Sequence, residues 1–226
     1  MKKLIVSLAL VCAVSWFAGS VSAMGGPAPE DKYKLEILKV EIISAEATTE
    51  AEVPSVAGKK VLLVVAPTKF DDKEFAAVKK SFEEAGLEIT VSATSKTAYG
   101  AFGARANCDL LLQKANAADY DAIVFIGGPG VTAYNRSETA TGVIAKAVKE
   151  GKVIGGLSLA PITLVNGGAL VKGKKAAVSP YGKRALKGVG VICTGQPVET
   201  DGKVVTGSGP EAAGDFAQAV IEALRQ

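Results

Sequence analysis

The sequence predicts an α/β domain in which helices cover both faces of a mainly parallel sheet. Two observations lead to this fold class. Continuous apolar runs recur at residues 61–65, 122–126 and 153–157, and such runs are typical of strands buried on both faces. Segments with helical spacing of apolar residues separate them. Because strand–helix alternation favours parallel strands, the chain predicts a parallel-sheet sandwich.

The first elements are predicted from the apolar run at 61–65 and from the spacing that follows it. Residues 72–85 place Phe75, Val78 and Phe82 on one side of a helix that ends at Gly86. A second strand is predicted at 87–91 and a helix at 109–117. The third strand, 122–126, ends in a glycine-rich turn.

Turn and capping residues define the elements of the second half. Ser137 is predicted to cap a helix that runs through Lys149. After the strand at 153–157 we expect a helix at 161–170, a short strand at 176–178 and a hairpin within 197–207. The Asp201-Gly202 pair marks the turn of that hairpin. Pro210 opens the last helix, which ends near Leu224.

The amino terminus has the layout of a secretory signal peptide at residues 1–23. Two lysines precede an apolar run at 4–17, and small residues follow, with Val21-Ser22-Ala23 as the cleavage box. The run is shorter than the roughly 20 residues that a spanning helix needs. We therefore expect a mature protein that starts at Met24, in the periplasm or outside the cell, with no stable membrane insertion. An uncleaved anchor is the alternative.

Residues 24–57 differ in composition from the remainder. They carry seven acidic residues against three lysines, and prolines lie near both ends. We interpret them as an acidic extension that packs on the domain or on a partner. The domain itself is predicted to cover 58–226.

Composition excludes several classes of function. The 226-residue sequence contains no histidine, which rules out a Ser-His or Cys-His couple and a His-ligated zinc site. A net charge of +3, mixed charges along the chain and 6% aromatic residues do not favour a nucleic-acid partner. No metal or cofactor is expected. Of the cysteines beyond the leader, Cys108 and Cys193 either pair in an oxidising compartment or serve as small apolar residues.

Two strand ends are the candidate functional positions. In the segment 154–161, a buried strand passes through Ser158 directly into a helix, as in a nucleophile elbow. In Gly127-Gly128-Pro129-Gly130, backbone N–H groups are available to face an anion or oxyanion. In a parallel sheet, ligand sites gather at the carboxyl ends of the strands. Both positions lie at such ends.

These segments, taken together, resemble the DJ-1/PfpI family, a branch of the class I glutamine amidotransferase-like superfamily with a flavodoxin-like fold. The resemblance runs from Gly58 to Leu224. The segments that carry it are 60–66 (KVLLVVA), 70–74 (FDDKE), 125–130 (FIGGPG), 154–161 (IGGLSLAP), 198–206 (VETDGKVVT) and 209–213 (GPEAA).

The resemblance implies a site in which the family's reactive cysteine is replaced. Its position falls on Ser158, the family's acidic residue on Asp71, and the histidine of many members on Ser179. The backbone N–H groups of Gly128 and Leu159 would form the oxyanion hole. Gly127 would line the same ligand-binding turn. Asp71 has an alternative role as the N-cap of the helix that follows it, and Ser158 has one as a small residue at a strained turn.

The expected function follows from the missing thiol and imidazole. A serine hydroxyl needs a partner to accept its proton, whereas a thiol ionises readily. We therefore expect an exported member without cysteine-dependent catalysis that binds a small ligand or a protein partner at the elbow. The alternatives are a hydrolase that uses Ser158 and a structural or stress-related oligomer. Relatives commonly form homodimers, so the resemblance implies a homodimer here.

Overall fold

The computed structural model describes residues 54–226. The predicted signal peptide, 1–23, and the acidic extension as far as residue 53 lie outside the described residues. Val56, near the end of that predicted extension, is buried in the core of the domain.

The described chain forms twelve strands and five α-helices. The strands are β1 (Lys60–Val64), β2 (Thr68–Phe70), β3 (Glu88–Ala93), β4 (Thr97–Gly100), β5 (Arg105–Asn107), β6 (Leu110–Leu111), β7 (Ala122–Phe125), β8 (Val153–Leu157), β9 (Lys175–Ala176), β10 (Ile192–Cys193), β11 (Val198–Asp201) and β12 (Val204–Gly207). The helices are α1 (Asp72–Glu84), α2 (Glu138–Lys149), α3 (Ala160–Asn166), α4 (Lys183–Gly188) and α5 (Ala213–Arg225).

Seven strands form the central sheet in the order β11-β12-β8-β7-β1-β3-β6. Its pairs are parallel except β11–β12, which is the hairpin predicted at Asp201-Gly202. A second sheet, β2-β4-β5, and a parallel pair, β9-β10, lie outside it. The predicted fold class, an α/β sandwich with a mainly parallel sheet, is confirmed.

Helices pack on both faces of this sheet. Gly155 and Gly156 are successive residues of β8, so they face opposite sides. A Cβ on Gly155 would meet Phe216 of α5, and one on Gly156 would meet Leu164 of α3. Helix α5 packs beside α1, and α3 packs beside α2. The central strands are buried on both faces as a result, which explains their continuous apolar runs.

Three sequence expectations need correction. The predicted helix 109–117 is wrong: Leu110–Leu111 form edge strand β6, and short 3-10 turns follow. The Asp109 carboxylate accepts a hydrogen bond from the Val91 N–H at 2.9 Å, which helps to hold this segment beside β3. Helix α3 ends at Asn166 rather than residue 170, because Gly167 and the left-handed Gly168 terminate it. The predicted strand 176–178 is reduced to the two residues of β9.

The sequence also missed several elements of the fold. The sheet β2-β4-β5, the strand β10 and the short helix α4 had no predicted counterpart. In the described range 54–226, no helix has the length and apolar character needed to cross a membrane. Two clefts lie at the amino edge of the central sheet, one beside Lys60 and Glu88 and the other beside Lys59 and Asp121.

Candidate functional site at the elbow

Ser158 stands at a strained bend between β8 and α3. Its φ is +57°, in the left-handed region that non-glycine residues rarely adopt. For an L-residue this conformation costs roughly 1–2 kcal/mol. The Ser158 N–H donates to the Gly207 carbonyl of β12 at 2.8 Å, which fixes the bend on the sheet. The elbow geometry predicted for Ser158 is therefore present, and the side chain is half-buried.

The turn after β7 packs directly against this bend. A Cβ on Gly127 would stand 2.6 Å from Ser158 Cβ and 2.6 Å from Glu74 Oε2. No side chain larger than hydrogen fits there without displacing one of them. Gly128 has a φ of +98°, and a Cβ on it would lie 2.4 Å from the Asp71 nitrogen. These two glycines let the ends of β7 and β8 and the start of α1 converge.

Glu74 is the carboxyl group that this convergence brings to Ser158. Its side chain is fully buried, and Oε2 accepts a hydrogen bond from the Gly127 N–H at 2.8 Å. Oε1 is buried without a hydrogen-bond partner among the described residues. Burial, and secondarily the nearby Asp71 charge, raise the pKa of Glu74 to about 8, although the Gly127 hydrogen bond opposes the rise. At neutral pH Glu74 is therefore mainly protonated.

Asp71, the acidic residue that the resemblance suggested, has a different position. Its Oδ1 accepts hydrogen bonds from the backbone N–H groups of Lys73 and Glu74 at 3.1 and 3.0 Å. This is the N-cap of α1, the alternative role that the sequence also allowed. Its effect on the elbow is indirect, because its negative charge helps to keep the neighbouring Glu74 neutral.

Sequence reasoning missed Glu74, although a signal was present. Glu74, Val78 and Phe82 follow one another at intervals of four residues, and all three are buried on α1. An acidic residue on the apolar stripe of an amphipathic helix is unusual, because burial of an unpaired carboxylate is costly. That pattern singles out Glu74 from Asp71 and Asp72, which precede it and do not lie on the apolar stripe.

Ser179 also reaches the elbow. Its N–H donates to the Ser158 carbonyl at 3.0 Å. The Ser179 hydroxyl is buried, and Oγ has no hydrogen-bond partner among the described residues. Buried polar atoms are nearly always paired in native proteins. Unpartnered oxygens of Glu74 and Ser179 on neighbouring segments thus mark this region as polar and unsatisfied.

The predicted oxyanion donors lie on the two segments that meet here. In residues 54–226, the Gly128 and Leu159 N–H groups donate no hydrogen bond to another backbone or side-chain group. Leu159 directly follows Ser158, and Gly128 directly follows Gly127. Together with a protonated Glu74 and the Ser158 hydroxyl, they give the elbow several potential hydrogen-bond donors. Such a set suits a carbonyl oxygen or a small oxyanion.

The thiols of Cys108 and Cys193 lie beside the Ala106 and Lys183 carbonyls and not at the bend. Cys108 and Cys193 are both free and half-buried, and neither forms part of the elbow. Burial, with a smaller contribution from Asp109, raises the pKa of the Cys108 thiol. Among the described residues, no group of three His, Cys, Asp or Glu side chains is placed to hold a metal ion.

Comparison with known proteins identifies the family. Residues 59–223 match the model of the DJ-1/PfpI family. The chain belongs to the DJ-1/PfpI family. An uncharacterized protein of Methanocaldococcus jannaschii is 34% identical over 174 residues, which cover 74% of this chain and 83% of that relative. A deglycase of Pyrococcus horikoshii is 28% identical over 152 residues, or 67% of this chain and 90% of the enzyme.

Solved structures of the family have the same fold. A ThiJ/PfpI domain protein of Brachyspira murdochii superposes with a TM-score of 0.71 at 28% identity, covering 74% of this chain and 97% of that one. DJ-1beta of Drosophila melanogaster superposes with a TM-score of 0.67 at 24% identity, covering 74% and 90% of the two chains. The likeness to the fly protein shows the fold alone.

Proposed function

We propose that this protein binds a small ligand through a carboxylate or carbonyl oxygen at the elbow, without cysteine-dependent catalysis. The observation that carries the proposal is the convergence of a protonated, buried Glu74 on Ser158 at its strained bend. A degenerate turn with no function gains nothing from a left-handed serine, since glycine would be less strained there.

The predicted ligand chemistry follows from the donors. The N–H groups of Gly128 and Leu159 and the hydroxyls of Ser158 and Ser179 all donate, and protonated Glu74 adds a further O–H. A carboxylate needs several donors to replace its lost water. Deprotonation of Glu74 removes one donor and adds a repelling charge. Affinity for a carboxylate is therefore expected to fall as pH rises through about 8.

A titration with acetate, as the smallest carboxylate, tests the proposal. Chemical shifts or thermal stabilisation are followed at pH 6 and pH 9 in the wild type, in Ser158→Ala and in the matched control Ser81→Ala, which removes the hydroxyl of another half-buried serine, in α1. We expect saturable binding at the lower pH, roughly tenfold weaker binding in Ser158→Ala because one donor is lost, and an unchanged control. Equal responses in all three proteins would refute the site.

A serine hydrolase is the alternative, favoured by the left-handed backbone of Ser158. Glu74 is the nearby group that would accept the Ser158 proton, and it does so only when ionised, above about pH 8. Labelling of Ser158 by a fluorophosphonate should then increase with pH, opposite to carboxylate binding. Turnover of an ester or amide that disappears in Ser158→Ala would establish this alternative and end the proposal of a catalytically silent site. The deglycase activity of the Pyrococcus relative is not carried over, because the resemblance puts serine at the family's cysteine position.

Assembly and location are further parts of the proposal. Phe102 is 81% exposed and Tyr99 is 54% exposed on the hairpin β4–β5, which supports a homodimer or a larger structural oligomer. Light scattering of the wild type and of Phe102→Ser would measure the oligomeric state, and a wild-type monomer would count against the proposed oligomer.

We also propose export to the periplasm or beyond. Amino-terminal sequencing of the protein made in cells should find Met24 as its first residue.

A further inference from the structure

Charge is distributed unevenly along the chain, although the whole-chain balance hides this. The stretch from residue 151 to 198 holds seven of the 26 basic residues and none of the 23 acidic ones. The expectation of mixed charges therefore fails over this stretch. Most of these cations lie in the segment that carries β9, α4 and β10.

Five cationic side chains of this segment are exposed and take part in no salt bridge among the described residues: Lys172, Lys175, Lys183, Arg184 and Lys187. A sixth cation, Lys174, is paired with Asp201 and is therefore neutralised. Four of the other five, all except Lys175, lie on α4 or against Gly190 in the turn that follows it.

Helix α4 packs on one face of the β9–β10 pair. Cys193 of β10 points to that face, where its Sγ lies 3.9 Å from the Lys183 carbonyl. Lys175 and Ile192 are register partners one residue earlier in each strand, so both side chains point away from α4. The Gly173 N–H donates to the Gly190 carbonyl at 2.9 Å, and the Lys172 side chain lies against Gly190. Lys183 and Lys187 are four residues apart on α4, so they share one side of that helix.

Exposed apolar side chains accompany the cations. Tyr181 is 89% exposed, and Val171, Ile192 and Val189 are each about half exposed, at 52%, 50% and 48%. Large, exposed apolar side chains that cluster on one segment are typical of an interaction site. The residues on the α4 side of the segment are called the basic surface: Lys172, Lys183, Arg184, Lys187, Tyr181, Val171 and Val189.

We propose that the basic surface docks on an anionic lipid bilayer as a peripheral contact. Lysine and arginine clusters are attracted to negatively charged headgroups, while aliphatic and tyrosine side chains enter the interfacial layer. The described residues offer one exposed tyrosine on this surface and no row of aromatic rings, which is a poor platform for single-stranded nucleic acid. A soluble acidic polymer would use the cations but would leave the apolar side chains in water.

Docking would also bring the elbow close to the bilayer. Ser179, which donates to the Ser158 carbonyl, is two residues from Tyr181, and the Gly182 N–H donates to the Ser179 carbonyl at 2.9 Å. The inference does not depend on the ligand proposed for the elbow. It concerns residues on the outside of the same segment.

Vesicle co-sedimentation of the mature protein tests the proposal. Mixed vesicles of phosphatidylcholine and phosphatidylglycerol are compared with pure phosphatidylcholine, at low and high salt. The test variant is Lys172→Gln/Lys183→Gln/Lys187→Gln. The control, Lys96→Gln/Lys114→Gln/Lys149→Gln, removes the same charge from other exposed lysines. We expect binding to the mixed vesicles alone, weakened by salt, and roughly 10- to 100-fold weaker in the test variant than in the control.

A second variant separates the bilayer from a soluble polyanion. Tyr181→Ser/Val189→Ser keeps every charge, so it should weaken vesicle binding several-fold and leave any binding to poly-glutamate unchanged. Thermal melts of all variants should stay close to the wild type, because the altered side chains are exposed. Equal vesicle binding by test and control variants, binding to poly-glutamate without vesicle binding, or no binding to any of them would each overturn the proposal.

Discussion

The elbow and the basic surface are neighbours in the chain but have opposite physical character. At the elbow, a serine is held in a left-handed conformation beside a buried glutamic acid that is mainly neutral. On the basic surface, the cations are exposed and form no salt bridge among the described residues. The elbow therefore depends on the position of single atoms and on exclusion of water. The surface depends on the number of charges and on salt, so the two regions should respond differently to mutation.

Glu74 should give the largest effect, through the pH dependence of stability. Its pKa is raised from 4.5 to about 8 on folding, so the folded state binds a proton that the unfolded state has released. Its contribution to stability is complete below about pH 4.5, falls as pH rises, and is lost above about pH 8. The slope is about 1.4 kcal/mol per pH unit, or several kcal/mol over the window.

Urea unfolding at a series of pH values measures this effect. The fall between pH 5 and pH 8 should be present in the wild type and in Glu84→Gln, an exposed control on the same helix. It should be largely absent in Glu74→Gln. A slope that persists in Glu74→Gln would show that Glu74 is not the titrating group.

Gly127→Ala should be the most damaging small substitution at the elbow. Its Cβ would lie 2.6 Å from both Glu74 Oε2 and Ser158 Cβ and 2.7 Å from the Leu157 carbonyl oxygen. We expect a loss of about 1–3 kcal/mol in the free energy of unfolding. The control, Gly142→Ala in α2, meets no atom within 4 Å and should be stabilised by about 0.5–1 kcal/mol. The same sign for both variants in denaturant unfolding would contradict the close packing.

Ser158→Gly should have a smaller effect, and in the stabilising direction. Glycine adopts a φ of +57° without strain, so the free energy of unfolding should rise by up to about 1 kcal/mol. In the comparison variant Ser81→Gly, inside α1, the free energy of unfolding should instead decrease by about 0.5 kcal/mol or more. Thermal melts distinguish the two. A gain in stability together with loss of acetate binding would mean that the strain is retained for function.

The basic surface should give the smallest effect on stability. Lys183→Gln/Lys187→Gln removes two exposed, unpaired charges, and such changes are usually within about 0.5 kcal/mol. Denaturant unfolding checks this. A loss above 1 kcal/mol would mean that the lysines stabilise the fold, and the contrast between the two regions would then disappear.

Much of the fold was accessible from the sequence, because its signals are local. The buried runs of β1, β7 and β8 fall within a residue of their predicted bounds. The Ser137 cap, the Asp201-Gly202 turn and the bend at Ser158 are present as predicted. The errors occur where a distant partner decides the conformation, as in β6, which pairs with β3 instead of forming a helix.

The amino-acid sequence by itself determined the succession of most strands and helices along the chain, the elbow at Ser158, the absence of histidine and the stretch without acidic residues. These depend on neighbouring side chains and on composition. Tertiary structure decided which acid reaches the bend: Asp71 caps α1, and Glu74, three residues later, is enclosed beside Gly127. Only folding removes water from Glu74, and that loss of water is what keeps its carboxyl group neutral.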